Sequence, residues 1–195
     1  MLSALYLLVI AVVLLLGLSV LAFQGITGVP PMSSSSLEGA DVVELLRQAG
    51  ISERAVIYEL GCGWGALVVA LARAFPEARI RGVELSPLPY WVSRMRTRNL
   101  HNVHLHRGNF YECDVQDANA VTCYLYTQPM IKLAEFLDSK LQPGTPVVSL
   151  SFSFRDRAVS AVRQTAGPLG HAALYYWPAR RTSGPAPYSK SPIGS

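Results

Sequence analysis

Between Tyr58 and Gly65 the chain reads YELGCGWG, with glycines at positions 61, 63 and 65. Glycine tolerates positive φ and lets another group approach the backbone with no Cβ in the way. The loop follows a short apolar run, Ala55–Leu60, expected as a strand, and opens an Ala/Leu/Val segment, Ala66–Ala74, expected as a helix. A glycine loop between a strand and a helix sits where an open α/β sheet takes its ligand. The alternation continues down the chain. Arg79–Glu84, Val103–His106, Ala120–Tyr126, Pro146–Phe154 and Ala172–Trp177 read as strands. Leu88–Asn99, Met130–Leu141 (stopped by Pro143-Gly144) and Ala158–Thr165 read as helices. Alternating β and α segments with short links predict an α/β fold with a doubly wound, mostly parallel sheet.

A second feature precedes this domain. All 17 Lys/Arg and all 13 Asp/Glu lie from Glu38 onward, so the first 37 positions carry no charged side chain. Residues 4–23, ALYLLVIAVVLLLGLSVLAF, form an apolar run of about 20 residues. At about 1.5 Å rise per residue, such a helix crosses a hydrocarbon core of about 30 Å. A cleaved signal peptide is the rival reading. The run is longer than the usual apolar stretch of a signal peptide and has no basic residue before it, which favours a retained transmembrane anchor over residues 1–24. The nearest basic residue after the run is Arg47, too distant to set the orientation. Residues 25–36, GITGVPPMSSSS, form a turn-rich linker, and Ser35 with Glu38 has the spacing of a capping box. The globular domain is expected over 37–182 and a disordered tail over 183–195.

Glu84 closes the strand after the loop and follows Gly61 at about the spacing at which an acid reaches ribose hydroxyls. Strand, glycine loop, helix, strand and acid in this order point to a nucleotide-type ligand. Gly61-x-Gly63-x-x-Ala66 also satisfies the dinucleotide fingerprint, which keeps a nicotinamide-dependent oxidoreductase in play. Glu59 argues against it. A carboxylate at the strand end repels a pyrophosphate and attracts an ammonium or sulfonium group. A third strand runs into Arg107-Gly108-Asn109-Phe110, which offers an amide and an aromatic face to a purine.

Taken together, ELGCGWG, GVELSP at Gly82–Pro87 and GNF at Gly108–Phe110 resemble a class I S-adenosylmethionine-dependent methyltransferase. Within that superfamily the chain is similar to the small membrane-anchored protein-lysine methyltransferases related to those acting on the mitochondrial ADP/ATP carrier and ATP synthase c subunit. The segments carrying this likeness are VPPMSS at Val29–Ser34, ELSPxxxxxSR at Glu84–Arg94, YLYTQPM at Tyr124–Met130 and SFSF at Ser151–Phe154, spread over most of the chain. The resemblance implies S-adenosyl-L-methionine as cofactor, with Gly61, Gly63 and Gly65 along its methionine part and Glu59 near its amino group. It implies Glu84 on the ribose hydroxyls, and Asn109 with Phe110 against the adenine. Tyr126, Gln128 and Pro129, after the fourth strand, are the candidates for positioning the acceptor: a phenol and an amide for hydrogen bonds, and a proline to stiffen the turn. Tyr124 and Tyr126 share a strand face, so at least one of them is also a candidate core residue. Two departures stand out: Trp64 occupies the loop where a small acidic residue is common, and much of the usual C-terminal strand pair is expected to be missing.

Other residues take plainer readings. Cys62 is expected as a space-filler in the loop, and Cys113 and Cys123 have no paired base or ligand set. His101, His104 and His106 cluster without a third ligand on one face, so no metal site is expected. Arg94, Arg96, Arg98 and Arg107 form a basic group, read as a solvated face or a contact with anionic headgroups near the anchor. Net charge of +4 with no recognition motif leaves no nucleic-acid partner expected. The expected protein is a single-pass membrane methyltransferase with its domain on the cytoplasmic or organellar matrix side, where S-adenosylmethionine is made, and a membrane-protein lysine as acceptor. A lipid or quinone methyltransferase and a non-catalytic cofactor-binding adaptor are the other readings.

Overall fold

A computed structural model describes residues 5–12, 14, 15, 17, 36–125, 127–155, 157–164 and 170–179. Among these residues seven strands form one sheet: β1 (Val56–Leu60), β2 (Arg79–Glu84), β3 (Val103–Arg107), β4 (Ala120–Cys123), β5 (Thr145–Leu150), β6 (Ala161–Gln164) and β7 (His171–Trp177). Their order is β3-β2-β1-β4-β5-β7-β6. The first five are parallel, and β7 runs antiparallel to both β5 and β6. Every residue of β1, β4 and β5 is buried, as parallel strands covered on both faces must be. The sheet accounts for part of the low charge content of the chain.

The helices divide unequally between the two faces. α1 (Ser36–Gln48), α2 (Ala66–Ala74) and α3 (Pro87–Thr97) lie on one side. There Leu45, Leu46, Leu67 and Leu71 pack against Ile57, Ile80, Val148 and Leu174. α4 (Thr127–Lys140) covers the other side, with Leu133, Phe136 and Leu137 against Tyr58, Val121, Val147 and Tyr175. Between β3 and β4 the crossover is only a single 3₁₀ turn at Phe110–Glu112. The strand order reverses between β1 and β4, and that switch point sets the ligand crevice.

Several expectations are corrected. The expected helix over 158–165 is not found in its described residues, 158–164: Ala161–Gln164 is strand β6, paired antiparallel with β7. Ala161 packs toward one core and Val162 toward the other, so successive side chains face opposite sides of the sheet, the period of a strand. The C-terminal strand pair expected to be missing is therefore present. The helix expected from Met130 begins at Thr127, which puts Pro129 in its first turn, where a missing N–H leaves no bond unmade; it does not stiffen a preceding turn. The strands expected to reach Tyr126 and Phe154 stop at Cys123 and Leu150. Ser151 turns away with φ 65°.

Among the described residues no helix is long and apolar enough to cross a membrane. Of residues 4–23, those at 5–12, 14, 15 and 17 are described, and they are helical and exposed. Most of the 25–36 linker, Ser35 of the capping box, and the 183–195 tail lie outside the described residues.

Candidate active site

The glycine loop leaves the carboxyl end of β1 and turns directly into α2. Gly61 N–H and Cys62 N–H both donate to the Val83 carbonyl at 2.9 Å, tying the loop to β2. Gly61, Gly63 and Gly65 have φ of 77°, 51° and 79°, in the region that side-chain-bearing residues rarely enter. Gly65 is also a point of close approach. A Cβ there would lie 2.4 Å from the Ser93 hydroxyl and 3.0 Å from the Ser93 Cα. α3 thus rests directly on the loop, and Arg96 of the same helix donates to the Trp64 carbonyl at 3.0 Å.

Two carboxylates flank the loop. Glu84, 8% exposed, accepts from Gly63 N–H at 2.8 Å through Oε2 and from Ser86 N–H at 2.7 Å through Oε1. It fixes the shape of the loop as well as closing β2. Glu59, 3% exposed, has a buried Oε2 with no hydrogen-bond partner among the described residues. Burial first, and the nearby Glu84 carboxylate second, push its carboxyl well above the usual carboxylate range. A buried carboxyl oxygen left unpaired beside an open backbone loop is costly unless a cation or donor completes it.

The other expected residues fall into place unequally. Asn109 Oδ1 accepts from Tyr111 N–H at 3.2 Å and its Nδ2 donates to Glu112 at 3.2 Å, so its amide caps the 3₁₀ turn. Phe110, half-buried, lies 4.3 Å from Tyr111 and 6.4 Å from Phe136 by ring centroids. Tyr126 lies outside the described residues, and Gln128 and Pro129 belong to the first turn of α4. Cys62 is buried, and burial with both carboxylates pushes its thiol well up, partly offset by the Ser93 hydroxyl. A thiol so held is no nucleophile. Burial likewise pushes the Cys123 thiol up to about 12. Ser93, Arg96 and Leu125, the last lying 2.8 Å from a would-be Gly61 Cβ, are the loop's supports that sequence reasoning missed.

The donor set fits S-adenosylmethionine. The unpaired Glu59 oxygen suits a cationic group, and the glycine backbone leaves room for a chain passing over it. A pyrophosphate would meet a buried carboxylate instead.

Comparison with known proteins agrees. The ANTKMT methyltransferase domain matches residues 59–161. A protein-lysine N-methyltransferase of Saccharolobus islandicus (strain REY15A) is 30% identical over 145 residues, covering 69% of this chain and 86% of the relative. The crystal structure of an RNA methyltransferase from Salinibacter ruber in complex with S-adenosyl-L-homocysteine is 30% identical with a TM-score of 0.65, covering 74% of this chain and 95% of that one. PKMT2 from Rickettsia typhi in complex with AdoHcy shares the fold, with a TM-score of 0.50 at 19% identity over 61% of this chain and 26% of that one. Together with the loop and its two carboxylates, these likenesses mean that the chain belongs to the ANTKMT methyltransferase domain family and is an S-adenosylmethionine-dependent methyltransferase.

Proposed function

We infer that the acceptor is a lysine side chain of a membrane protein, and that residues 4–23 hold the domain at the bilayer on the cytoplasmic or matrix side. The observation that carries the lysine reading is the extent of likeness to the Saccharolobus relative, whose name is protein-lysine N-methyltransferase and of which the alignment covers 86%. The anchor reading is supported by the uncharged first 37 positions and by exposed Leu5, Leu7, Leu8 and Ile10 on the described helical part. An anchored enzyme meets membrane substrates at a raised effective concentration.

The cofactor supplies a methyl carbon already activated by its sulfonium, so the protein contributes chiefly alignment and exclusion of water. Gly61, Gly63 and Gly65 line its methionine part, and Glu59 takes its amino group. Each Glu84 oxygen holds one backbone N–H and keeps a lone pair for a ribose hydroxyl. The Asn109 amide is engaged within its own turn, so Phe110 supplies the adenine-facing surface and Asn109 holds the turn that presents it. The start of α4, with Tyr126, Gln128 and Pro129 close in sequence, borders the same strand ends and positions the acceptor amine. That amine must be neutral to react, and desolvation favours its neutral form.

The test uses the full chain, radiolabelled S-adenosylmethionine and membrane fractions resolved into protein, lipid and RNA. Label in protein, localised to lysine by mass spectrometry of digests, is the expected result. Label confined to the lipid extract or to RNA overturns the lysine reading.

A further inference from the structure

α3 has one side turned inward and one turned out. Tyr90, Ser93 and Thr97 are buried, while Trp91 is 55% exposed and Met95 66%. These two are four residues apart and so share a face of the helix. Leu85, 48% exposed, lies next to Glu84 and just ahead of the helix. The helix contains no acidic residue, and Arg94, Arg96 and, at its end, Arg98 are exposed around this apolar strip. The Arg94 guanidinium lies 5.8 Å from the centroid of the Trp91 ring.

We propose that α3 is a bilayer-docking face. Trp91 and Met95 enter the boundary between headgroups and acyl chains, and Arg94 and Arg98 meet anionic lipid headgroups. Large apolar side chains flanked by cations, with tryptophan among them, are the pattern of a helix lying in a membrane interface. Charge complementarity points to an anionic surface. The apolar half of the strip favours lipid over a nucleic-acid backbone, which has nothing to offer Met95. The contact rests on the anchored reading of residues 4–23 for the nearness of the bilayer. The same helix supports the cofactor loop, through Ser93 against Gly65 and Arg96 on the Trp64 carbonyl. Lipid on its outer face and cofactor on its inner side are thus linked by one rigid element.

All three tryptophans, Trp64, Trp91 and Trp177, lie beyond the uncharged first 37 residues, and Trp177 is buried. Tryptophan emission therefore reports the domain and not the anchor. The full chain is mixed with vesicles of phosphatidylcholine and phosphatidylserine carrying brominated acyl chains, and quenching is read alongside vesicle flotation. The expected result is quenching that falls by more than half in Trp91→Phe. In Arg94→Gln/Arg98→Gln quenching should weaken, and it should weaken for the wild type when phosphatidylserine is omitted. Flotation with no quenching, or with quenching unchanged in Trp91→Phe, overturns the docking face and leaves the anchor intact. Failure to float overturns the anchored reading together with it. A Trp91-dependent emission change on adding single-stranded RNA, with none on adding vesicles, assigns the face to nucleic acid and overturns the proposal.

Discussion

Gly65 and Ser93 meet with no space for a side chain: a Cβ on Gly65 would contact the hydroxyl, Cβ and Cα of Ser93 at 2.4, 2.9 and 3.0 Å. Gly65→Ala therefore incurs two costs. The left-handed backbone costs about 1–2 kcal/mol for a residue with a Cβ, and overpacking against α3 adds about 1–3 kcal/mol. We expect a stability loss of about 3 kcal/mol by urea denaturation and loss of measurable cofactor binding by calorimetry. Ser93→Ala should not rescue it, since the Ser93 Cβ and Cα remain. Gly144→Ala is the control, with φ of 90° but nothing within 4 Å; it should cost about 1 kcal/mol and leave binding intact.

Arg157, 4% exposed, ties α4 to the end of the sheet. Its Nη2 lies 2.5 Å from Asp138 Oδ2, its Nη1 donates to the Ala179 carbonyl at 3.2 Å, and its guanidinium lies 5.0 Å from the Trp177 ring centroid. Asp138→Ala removes a charge partner of a buried cation. Breaking a fully buried pair costs about 3–5 kcal/mol; Asp138 is 29% exposed at its side chain, so water relieves part of this and about 2 kcal/mol is expected. The measurement is urea denaturation of the single variants and of Asp138→Ala/Arg157→Met. The double variant should be more stable than Asp138→Ala alone.

The parallel core of this fold was legible because its strands are buried on both faces and read as short apolar runs; Arg79–Glu84 and the helix Ala66–Ala74 match the structure residue for residue. What failed was the edge. β6, with Ala161 and Val162 facing opposite sides and Arg163 and Gln164 exposed, has too little apolar pattern to separate strand from helix, and its identity comes from pairing with β7. In the site, the positions of Glu59 and Glu84 beside the glycine loop were legible, because Glu84 ends β2 and Glu59 lies one residue before the end of β1. The supports from α3 were not: Ser93 meets Gly65 only after the chain has passed through β2, and no local pattern carries that contact. The capping role of Asn109 was hidden for another reason, since an amide reads alike whether it faces a ligand or its own backbone.

Glu84 does two jobs that substitution can separate. Glu84→Ala strips the acceptor from both Gly63 N–H and Ser86 N–H. Hydrogen bonds to charged groups are worth about 1.5–3 kcal/mol each, and rehydration of the half-buried Gly63 and Ser86 recovers some of that, so a loss of about 2–3 kcal/mol is expected. Glu84→Gln keeps one acceptor oxygen and should lose about half as much. If Glu84 also holds the ribose, the wild type will prefer S-adenosylhomocysteine to its deoxyribose analogue, and the Gln variant will lose that preference. Equal discrimination in both proteins by calorimetry would leave Glu84 as a loop support only.

Glu59 gives the chain a pH dependence with a definite sign. Burial holds its carboxyl neutral in the fold at pH values where the unfolded chain, with a carboxyl near 4.5, has already lost the proton. The folded state then binds one more proton than the unfolded state, so stability falls as pH rises, by about 1.4 kcal/mol per pH unit. The decline begins near the unfolded value and stops once pH passes the raised folded value. Glu59→Gln has no proton to lose, so its stability minus that of the wild type should grow across the same window. A cationic cofactor reverses the preference, because it favours the ionised carboxylate. Binding of S-adenosylmethionine should release a proton in the wild type, seen as a buffer-dependent heat in calorimetry. It should strengthen with rising pH through that window. In Glu59→Gln the released proton should vanish and affinity should drop at least tenfold, about 1.4 kcal/mol. A wild-type binding heat that does not depend on the buffer would show that Glu59 stays protonated beside the cofactor and does not face its amino group.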